Sequence, residues 1–81
     1  MKLPKVVTRK LGRERAMGQA HIEKNLIEID PRHKTAKSLF DTEIHEFLHI
    51  RNPEWSETKV RKEAKILRDF LWKLNYRKIN D

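Results

Sequence analysis

The strongest constraint on the fold lies in the second half of the chain, where Pro53 separates two stretches of apolar side chains at helical spacing. The apolar residues of the first stretch are Ala36, Phe40, Ile44, Phe47 and Leu48, and those of the second are Val60, Ala64, Leu67, Leu71 and Leu74. Thr35 and Ser56 are suitable N-caps, which predicts helices over about residues 35 to 51 and 56 to 76. Because proline ends the first helix and the connection is short, the two helices are expected to pack antiparallel.

The first half of the chain has the pattern of short strands. The predicted strands are residues 5 to 9, 17 to 22 and 26 to 30, where β-branched and other apolar residues recur. Residues 23 to 25 are expected to join the last two strands as a hairpin, and Pro31 ends the third. The basic stretch that contains Gly12 and ends at Arg15 is predicted to be a loop.

Alternation along the third predicted strand assigns its side chains to two faces. Ile27 and Ile29 are expected on one face, and Leu26, Glu28 and Asp30 on the other. The whole pattern predicts an α+β fold, in which a small antiparallel sheet is packed on one side by two antiparallel helices. At 81 residues, the chain has the length of one small domain, residues 1 to 81.

Composition limits what can stabilise so small a core. There is no cysteine, which excludes disulfides and thiolate metal sites, so any metal must be held by histidine and carboxylate. No apolar run approaches the roughly 20 residues that span a bilayer, and no secretory signal pattern follows the N-terminus. We therefore expect a soluble cytoplasmic protein with no membrane partner.

The net charge of +7 is unevenly distributed. Residues 1 to 15 and 59 to 81 are strongly basic, whereas residues 41 to 57 are acidic and contain two of the four histidines. The basic ends could attract nucleic acid or an acidic protein partner. The alternative is that these lysines and arginines are simply the solvated faces of helices.

Residues 45 to 49, with the sequence His-Glu-Phe-Leu-His, carry the clearest chemistry. Two histidines four positions apart lie one above the other on a helix, so His45 and His49 can share one metal ion. Glu46 is rotated by about 100° from His45, which suits a general base beside the metal rather than a ligand. We predict a divalent-metal site, with zinc as the ion.

A zinc site open to water needs a third protein ligand, and two downstream carboxylates are candidates. If the chain reverses at Pro53, His49 is level with Glu57 in the antiparallel helix pair. Glu57 also lies three residues before Val60, on the apolar side of the second helix, where a lone carboxylate would be costly. Glu63, on the flank of the same surface, is the second candidate.

Residues 41 to 49 resemble the active-site helix of the zincin metallopeptidases, and a following carboxylate ligand resembles the gluzincin branch. Over roughly residues 20 to 77, the chain is similar to small bacterial and phage zincin-like proteins of the minigluzincin kind. This resemblance implies both histidines of the motif as metal ligands and Glu46 as the base. It also implies a strand within residues 16 to 30 that lines the cleft and binds extended substrate by edge pairing.

Two functions from different classes are therefore open. The first is zinc-dependent hydrolysis of a peptide or protein substrate by a minimal, specialised or latent metallopeptidase, with Glu46 as base. The second is a non-catalytic module in which zinc is structural and the basic ends bind nucleic acid or an acidic protein. A fourth protein ligand such as His21 or Glu63 would favour the second, since a structural site leaves no room for water.

Several other residues could take part but have simpler interpretations. His21 and His33 could reach the metal, although a single histidine in a hairpin or turn is more often a solvated polar residue. Tyr76 and Arg77 could polarise a carbonyl, and the indoles of Trp55 and Trp72 could form a partner surface. Packing and surface roles are the expected alternatives for all of them.

Overall fold

Residues 2–12 and 17–79 are described by a computed structural model. The strands are β1 (Lys5–Thr8), β2 (Gly18–His21) and β3 (Leu26–Ile29), and the helices are α1 (Ala36–Arg51) and α2 (Glu57–Lys73). The predicted α+β class is confirmed. The last residues of the predicted loop that ends at Arg15, and residue 16 of the cleft strand implied by the resemblance, lie outside the described residues.

The three strands form one sheet in the order β1-β3-β2. β2 and β3 are an antiparallel hairpin, as predicted, and Asn25 makes the turn between them with a φ of 49°. β1 joins the other edge of β3 and runs parallel to it. The sheet is therefore mixed, where the sequence predicted antiparallel pairing throughout, because the apolar pattern of a strand does not specify its neighbour's direction.

Both faces of the central strand β3 are covered. Ile27 and Ile29 are each 2% exposed and contribute to the apolar core, and they pair across the sheet with Ala20 and Gly18 of β2. Glu28 is also buried, on the opposite face of the strand. The predicted alternation of side chains along this strand agrees with these positions.

The polar face of β3 is covered by charged side chains. Arg9 and His21 both contact the carboxylate of Glu28, the imidazole at 2.6 Å. Asp30, which follows the strand and is fully buried, accepts hydrogen bonds from the guanidinium of Arg32 at 2.6 and 2.8 Å, and from the backbone N–H of Leu11. Both buried carboxylates on this face are thus paired, which offsets the cost of burying their charge.

Both helices begin at their predicted N-caps. The Thr35 hydroxyl accepts a hydrogen bond from the Ser38 N–H, and the Ser56 hydroxyl accepts one from the Lys59 N–H. α2 ends at Lys73 rather than near residue 76, so Tyr76 and Arg77 lie beyond it.

The two helices are antiparallel. The end of α1 meets the start of α2 at His49 and Glu57, whereas Phe40, near the start of α1, lies 6.0 Å from Trp72 near the end of α2. α1 contacts β2, β3 and α2 and is therefore the central helix of the fold.

The predicted apolar seam of α2 is buried only in part. Val60 and Ala64 belong to the core with Ile44 of α1, but Leu67 and Leu74 are exposed. Instead the side of α2 that carries Trp72 turns towards α1, which leaves the other margin of the stripe uncovered. Across the described ranges, neither helix is long and apolar enough to cross a membrane.

Candidate metal centre

The two histidines of the 45 to 49 motif lie on the same side of α1. Their ring centroids are 4.9 Å apart with an angle of 65° between the ring planes, as the four-residue spacing on a helix predicts. The Nε2 atoms of both rings turn towards one carboxylate at the start of α2, that of Glu57. The two imidazoles therefore converge on a common point.

Glu57 bridges the two histidines with its two oxygens. Oε1 lies 2.7 Å from Nε2 of His45, and Oε2 lies 3.0 Å from Nε2 of His49. One donor atom from each of the three residues falls within 4.8 Å of the other two. The reversal after α1 makes this possible, since the Asn52 N–H donates to the Leu48 carbonyl at 2.8 Å and the Ser56 cap then starts α2.

The charge on Glu57 is favoured by its neighbours. Partial burial alone would raise the pKa of this carboxyl, but the imidazoles of His45 and His49 outweigh that effect and hold the pKa below its usual range. Arg61, one helical turn later, adds a cation 3.7 Å from Oε1. Glu57 is therefore available as an anionic ligand at neutral pH.

Glu46 differs from Glu57 in both burial and pKa. It is 9% exposed and lines the same cleft as the two histidines. Burial raises the pKa of its carboxyl, and this effect exceeds the opposite influence of His45 and His49. A carboxylate with a raised pKa at the wall of a cleft is suited to accept a proton.

The opposite wall of the cleft is strand β2. The cleft has a volume of about 360 Å³, and the strand contributes Gly18, Gln19 and Ala20. β2 pairs with β3 along one edge only, so its other edge adjoins the cleft. The side facing the histidines therefore contains backbone N–H and C=O groups without a strand partner among the described residues.

Gly18 is a site residue that the sequence reasoning missed. A Cβ atom at this position would lie 2.6 Å from Thr42 Cγ2 and 2.9 Å from Glu46 Cγ, closer than packing allows. Glycine thus lets β2 approach α1 beside Glu46. A glycine inside a predicted strand is the signal that could have identified this close approach.

Glu63, the alternative third ligand, does not join the histidine cluster. It lies with Leu48, Trp55 and Ile66 at a different surface of the helix pair. It is six residues, or about 1.7 turns, further along α2 than Glu57, which moves it away from the reversal where His49 lies.

The other two histidines have different partners. His21 hydrogen-bonds Glu28 on the polar face of the sheet, because alternation along β2 turns it away from the face of Gly18 and Ala20. His33 bridges the Asp30 carbonyl at 2.7 Å and the Thr42 hydroxyl at 3.0 Å. These hydrogen bonds link elements of the fold. The bond of His21 joins β2 to β3, and the bonds of His33 join the end of β3 to α1.

The aromatic and basic residues after α2 are also away from the cleft. The Arg77 guanidinium lies 3.5 Å from the centroid of the Trp72 ring and donates hydrogen bonds to the carbonyls of Trp72 and Tyr76. These contacts cap the end of α2, and neither Tyr76 nor Arg77 lines the cleft of the two histidines.

Comparisons with known proteins found no relative from which a role for this site could be inferred. The chain matched no protein-family model, no curated protein sequence and no solved structure. Two imidazole nitrogens and a carboxylate oxygen are a donor set that borderline-soft divalent ions accept.

Proposed function

We propose that this protein is a minimal zinc-dependent peptide hydrolase of the zincin kind. The observation that carries the proposal is the position of Glu57, whose two oxygens lie 2.7 and 3.0 Å from the Nε2 atoms of His45 and His49 beside the buried Glu46. Two histidines and one glutamate, with a position left for water, are a ligand set of catalytic zinc sites.

The residues present fit the ion. His45 and His49 would bind it through Nε2 and Glu57 through a carboxylate oxygen, and these atoms already lie within 4.8 Å of one another. Zinc is favoured over calcium or magnesium because imidazole nitrogen suits borderline-soft ions and hard ions prefer all-oxygen sites. When bound, zinc lowers the pKa of a coordinated water and polarises a carbonyl oxygen.

Glu46 supplies the proton transfers. Its carboxylate accepts a proton from the attacking water as the new C–O bond forms at the scissile carbonyl. It then delivers that proton to the amide nitrogen as the C–N bond breaks, which releases a neutral amine and regenerates the carboxylate. Burial raises the pKa of Glu46, which brings the carboxyl closer to the working pH for both steps.

The free edge of β2 supports a peptide as the substrate. An extended chain can add to this edge by backbone hydrogen bonds at Gly18 and Ala20, parallel or antiparallel to the strand. Its scissile bond would then pass the histidine cluster across the cleft. Because these contacts use backbone groups, binding requires an extended peptide and depends less on the side chains of that peptide. We place the activity in the cytoplasm.

The rival function is a non-catalytic zinc module that binds nucleic acid or an acidic protein. A fourth protein ligand would support it, but of the two candidates His21 hydrogen-bonds Glu28 and Glu63 lines a groove that does not include the two histidines of the motif. The rival then depends on the basic charge of the two ends, and it is kept as an outcome of the test.

The test compares wild type with Glu46→Gln, which retains the size of the side chain and removes the base. Glu63→Gln is the matched control, since it makes the same chemical change on α2 outside the cluster. Each protein is purified without a histidine tag, its zinc content is measured by elemental analysis, and its cleavage of a mixed peptide library is followed by mass spectrometry. We expect near one-to-one zinc in all three and a loss of about 10² to 10⁴ in rate for Glu46→Gln alone.

Two results would contradict the proposal. Undiminished cleavage by Glu46→Gln would show that Glu46 is not the base. Absence of bound zinc from the wild type would show that the site does not hold this metal. A zinc-loaded wild type that cleaves nothing and binds nucleic acid in a salt-sensitive way would favour the rival.

A further inference from the structure

The outer side of the helix pair exposes a contiguous apolar patch, defined here as the outer patch. Its members are Leu48, Trp55, Ile66, Leu67 and Phe70, which together with Glu63 line a groove of about 300 Å³. Ile66 is 55% exposed, Leu67 39% and Phe70 57%. Scattered apolar residues are normal on a surface, but a contiguous patch in a groove indicates an interaction site.

The outer patch arises from the way in which α2 packs. The helix buries Val60 and Ala64 against the core, whereas Ile66 and Phe70 lie one turn apart on a side that the described residues do not cover. Leu74 continues the same row just after the helix and is also exposed. The apolar row is therefore wider than the part of α2 that α1 covers. A helix that packs against two partners is expected to have an apolar surface of this greater width.

Basic side chains border the outer patch. Lys62 and Lys73 are exposed and lie about one turn along α2 from Ile66 and Phe70, and the ammonium of the exposed Lys59 is 4.6 Å from the centroid of the Trp55 ring. The ion pairs of the described residues leave all three ammonium groups without a carboxylate partner. The carboxylate of Glu63, which also lines the groove, is outnumbered by these three ammonium groups, and Asp69 is paired with Arg68 at 2.8 Å.

The apolar groove and the lysines that border it favour one kind of binding partner over others. A second copy of the chain would bring the same lysines together on a protein that already carries a net charge of +7, and like charges at an interface disfavour binding. Nucleic acid would satisfy the lysines but not the exposed aliphatic and aromatic surface. An amphipathic helix with an apolar row and acidic flanks would satisfy both.

We propose that the outer patch and its bordering lysines dock an acidic amphipathic helix of a partner protein. The row Ile66, Phe70 and Leu74 would lie against the apolar row of that helix, and Trp55 would close one end of the groove. Lys62 and Lys73 would pair with carboxylates on its flank, which favours rapid association and one orientation of the helix.

This surface is separate from the candidate metal centre. None of the five residues of the outer patch lines the cleft of His45, Glu46 and Glu57. Docking therefore does not depend on the proposed hydrolysis, and each can fail without the other.

The probe is a fluorescein-labelled synthetic peptide of about 18 residues, or five helical turns. It has leucine at i, i+3, i+4 and i+7 spacing and glutamate at its flanking positions. A second peptide keeps the leucines and replaces every glutamate with lysine. Binding of each to the full chain is measured by fluorescence anisotropy at low and high salt. We expect the acidic peptide to bind at least about tenfold more tightly than the basic one, by an amount that falls as salt rises.

Two variants locate the binding on the protein. Ile66→Ser/Phe70→Ser should weaken binding of the acidic peptide by about tenfold or more, because it removes two apolar anchors. Leu3→Ser is the matched control, since Leu3 is 66% exposed and is not part of the groove. Lys62→Glu/Lys73→Glu should reverse the preference and favour the basic peptide. Circular dichroism checks that each variant keeps its helices.

Several outcomes would overturn the proposal. They are absence of binding by the acidic peptide, equal binding of both peptides, and binding unchanged in the serine variant. Sedimentation that shows a dimer abolished by Ile66→Ser/Phe70→Ser would assign the outer patch to a second copy. Tighter binding to phosphatidylserine vesicles than to the acidic peptide would assign it to a lipid surface.

Discussion

Gly18 of β2 lies so close to Glu46 of α1 that a Cβ atom at position 18 would be 2.9 Å from Glu46 Cγ. The same atom would be 2.6 Å from Thr42 Cγ2, so the strand and the helix are in contact at the candidate base. The position of Glu46 is therefore set by two elements that are distant in sequence. A substitution in the strand should therefore affect peptide cleavage without a contact to a proposed metal ligand.

Gly18→Ala is expected to destabilise the fold by about 1 to 3 kcal/mol, the usual range for an added methyl group in a tight contact. It should also reduce peptide cleavage more than zinc binding, because the clash is with Glu46 and Thr42 and not with the histidines. Urea denaturation, zinc titration and the library assay measure the three effects. Adding Thr42→Ser, which removes the nearest carbon and keeps the hydroxyl bonded to His33, should restore part of the stability. Failure of the second change to restore any stability would contradict this contact.

The choice between the two third-ligand candidates leads to the second prediction. Glu57→Ala should weaken zinc binding by about tenfold or more, whereas Glu63→Ala should leave it unchanged. The reason is that the carboxylate of Glu57 alone lies within hydrogen-bond distance of His45 and His49. A competition titration against a chromophoric chelator gives the affinities. Equal losses, or a larger loss for Glu63→Ala, would transfer the ligand role.

Zinc is expected to stabilise the fold by binding to the native state. At a free concentration 100 times the dissociation constant, the gain is about 2.7 kcal/mol, or roughly 10 to 20 °C in the melting temperature of a domain this small. Differential scanning fluorimetry with zinc and with a chelator measures the shift. His49→Ala should abolish the dependence on zinc. A shift that persists in this variant would place the metal elsewhere.

Acid should act on the polar face of the sheet. Hydrogen bonds from Arg9 and then from His21 lower the pKa of Glu28 to about 2 from its usual 4.5. A carboxyl whose pKa is lower in the folded chain stabilises the fold above pH 4.5, and this contribution is lost as the pH falls from 4.5 towards 2. Glu28→Gln should therefore be less stable than wild type at neutral pH, and the two should converge on acidification. Urea midpoints measured over this interval test the trend, and a constant difference would contradict it.

Local signals in the sequence were sufficient for the elements that build the site. Thr35 and Ser56 cap their helices as predicted, because N-caps depend on a side chain and a backbone N–H only three residues away. The meeting of His49 with Glu57 follows from one short reversal, so it too could be estimated from spacing. These features need little knowledge of the rest of the fold.

Features that depend on distant parts of the chain could not be predicted in the same way. The parallel pairing of β1 with β3 joins residues about 20 positions apart and left no mark in the strand pattern. The rotation of α2, which exposes Leu67, depends on how the helix packs against α1, where Phe40 meets Trp72. The ion pair of Glu28 also depends on Arg9, which is 19 positions away along the chain.

The two faces of β3 have consequences beyond the geometry of the site. Ile27 and Ile29 are held by water-excluding contacts, which weaken on cooling and resist salt. Glu28 and Asp30 are held by ionic contacts, which burial shields from much of the effect of salt and which protonation in strong acid would remove. In place of a second apolar layer, for which a chain this short has little material, the sheet uses guanidinium groups as its outer covering. The two faces of one strand therefore respond to different conditions, since cooling weakens the contacts of Ile27 and Ile29 and acid weakens those of Glu28.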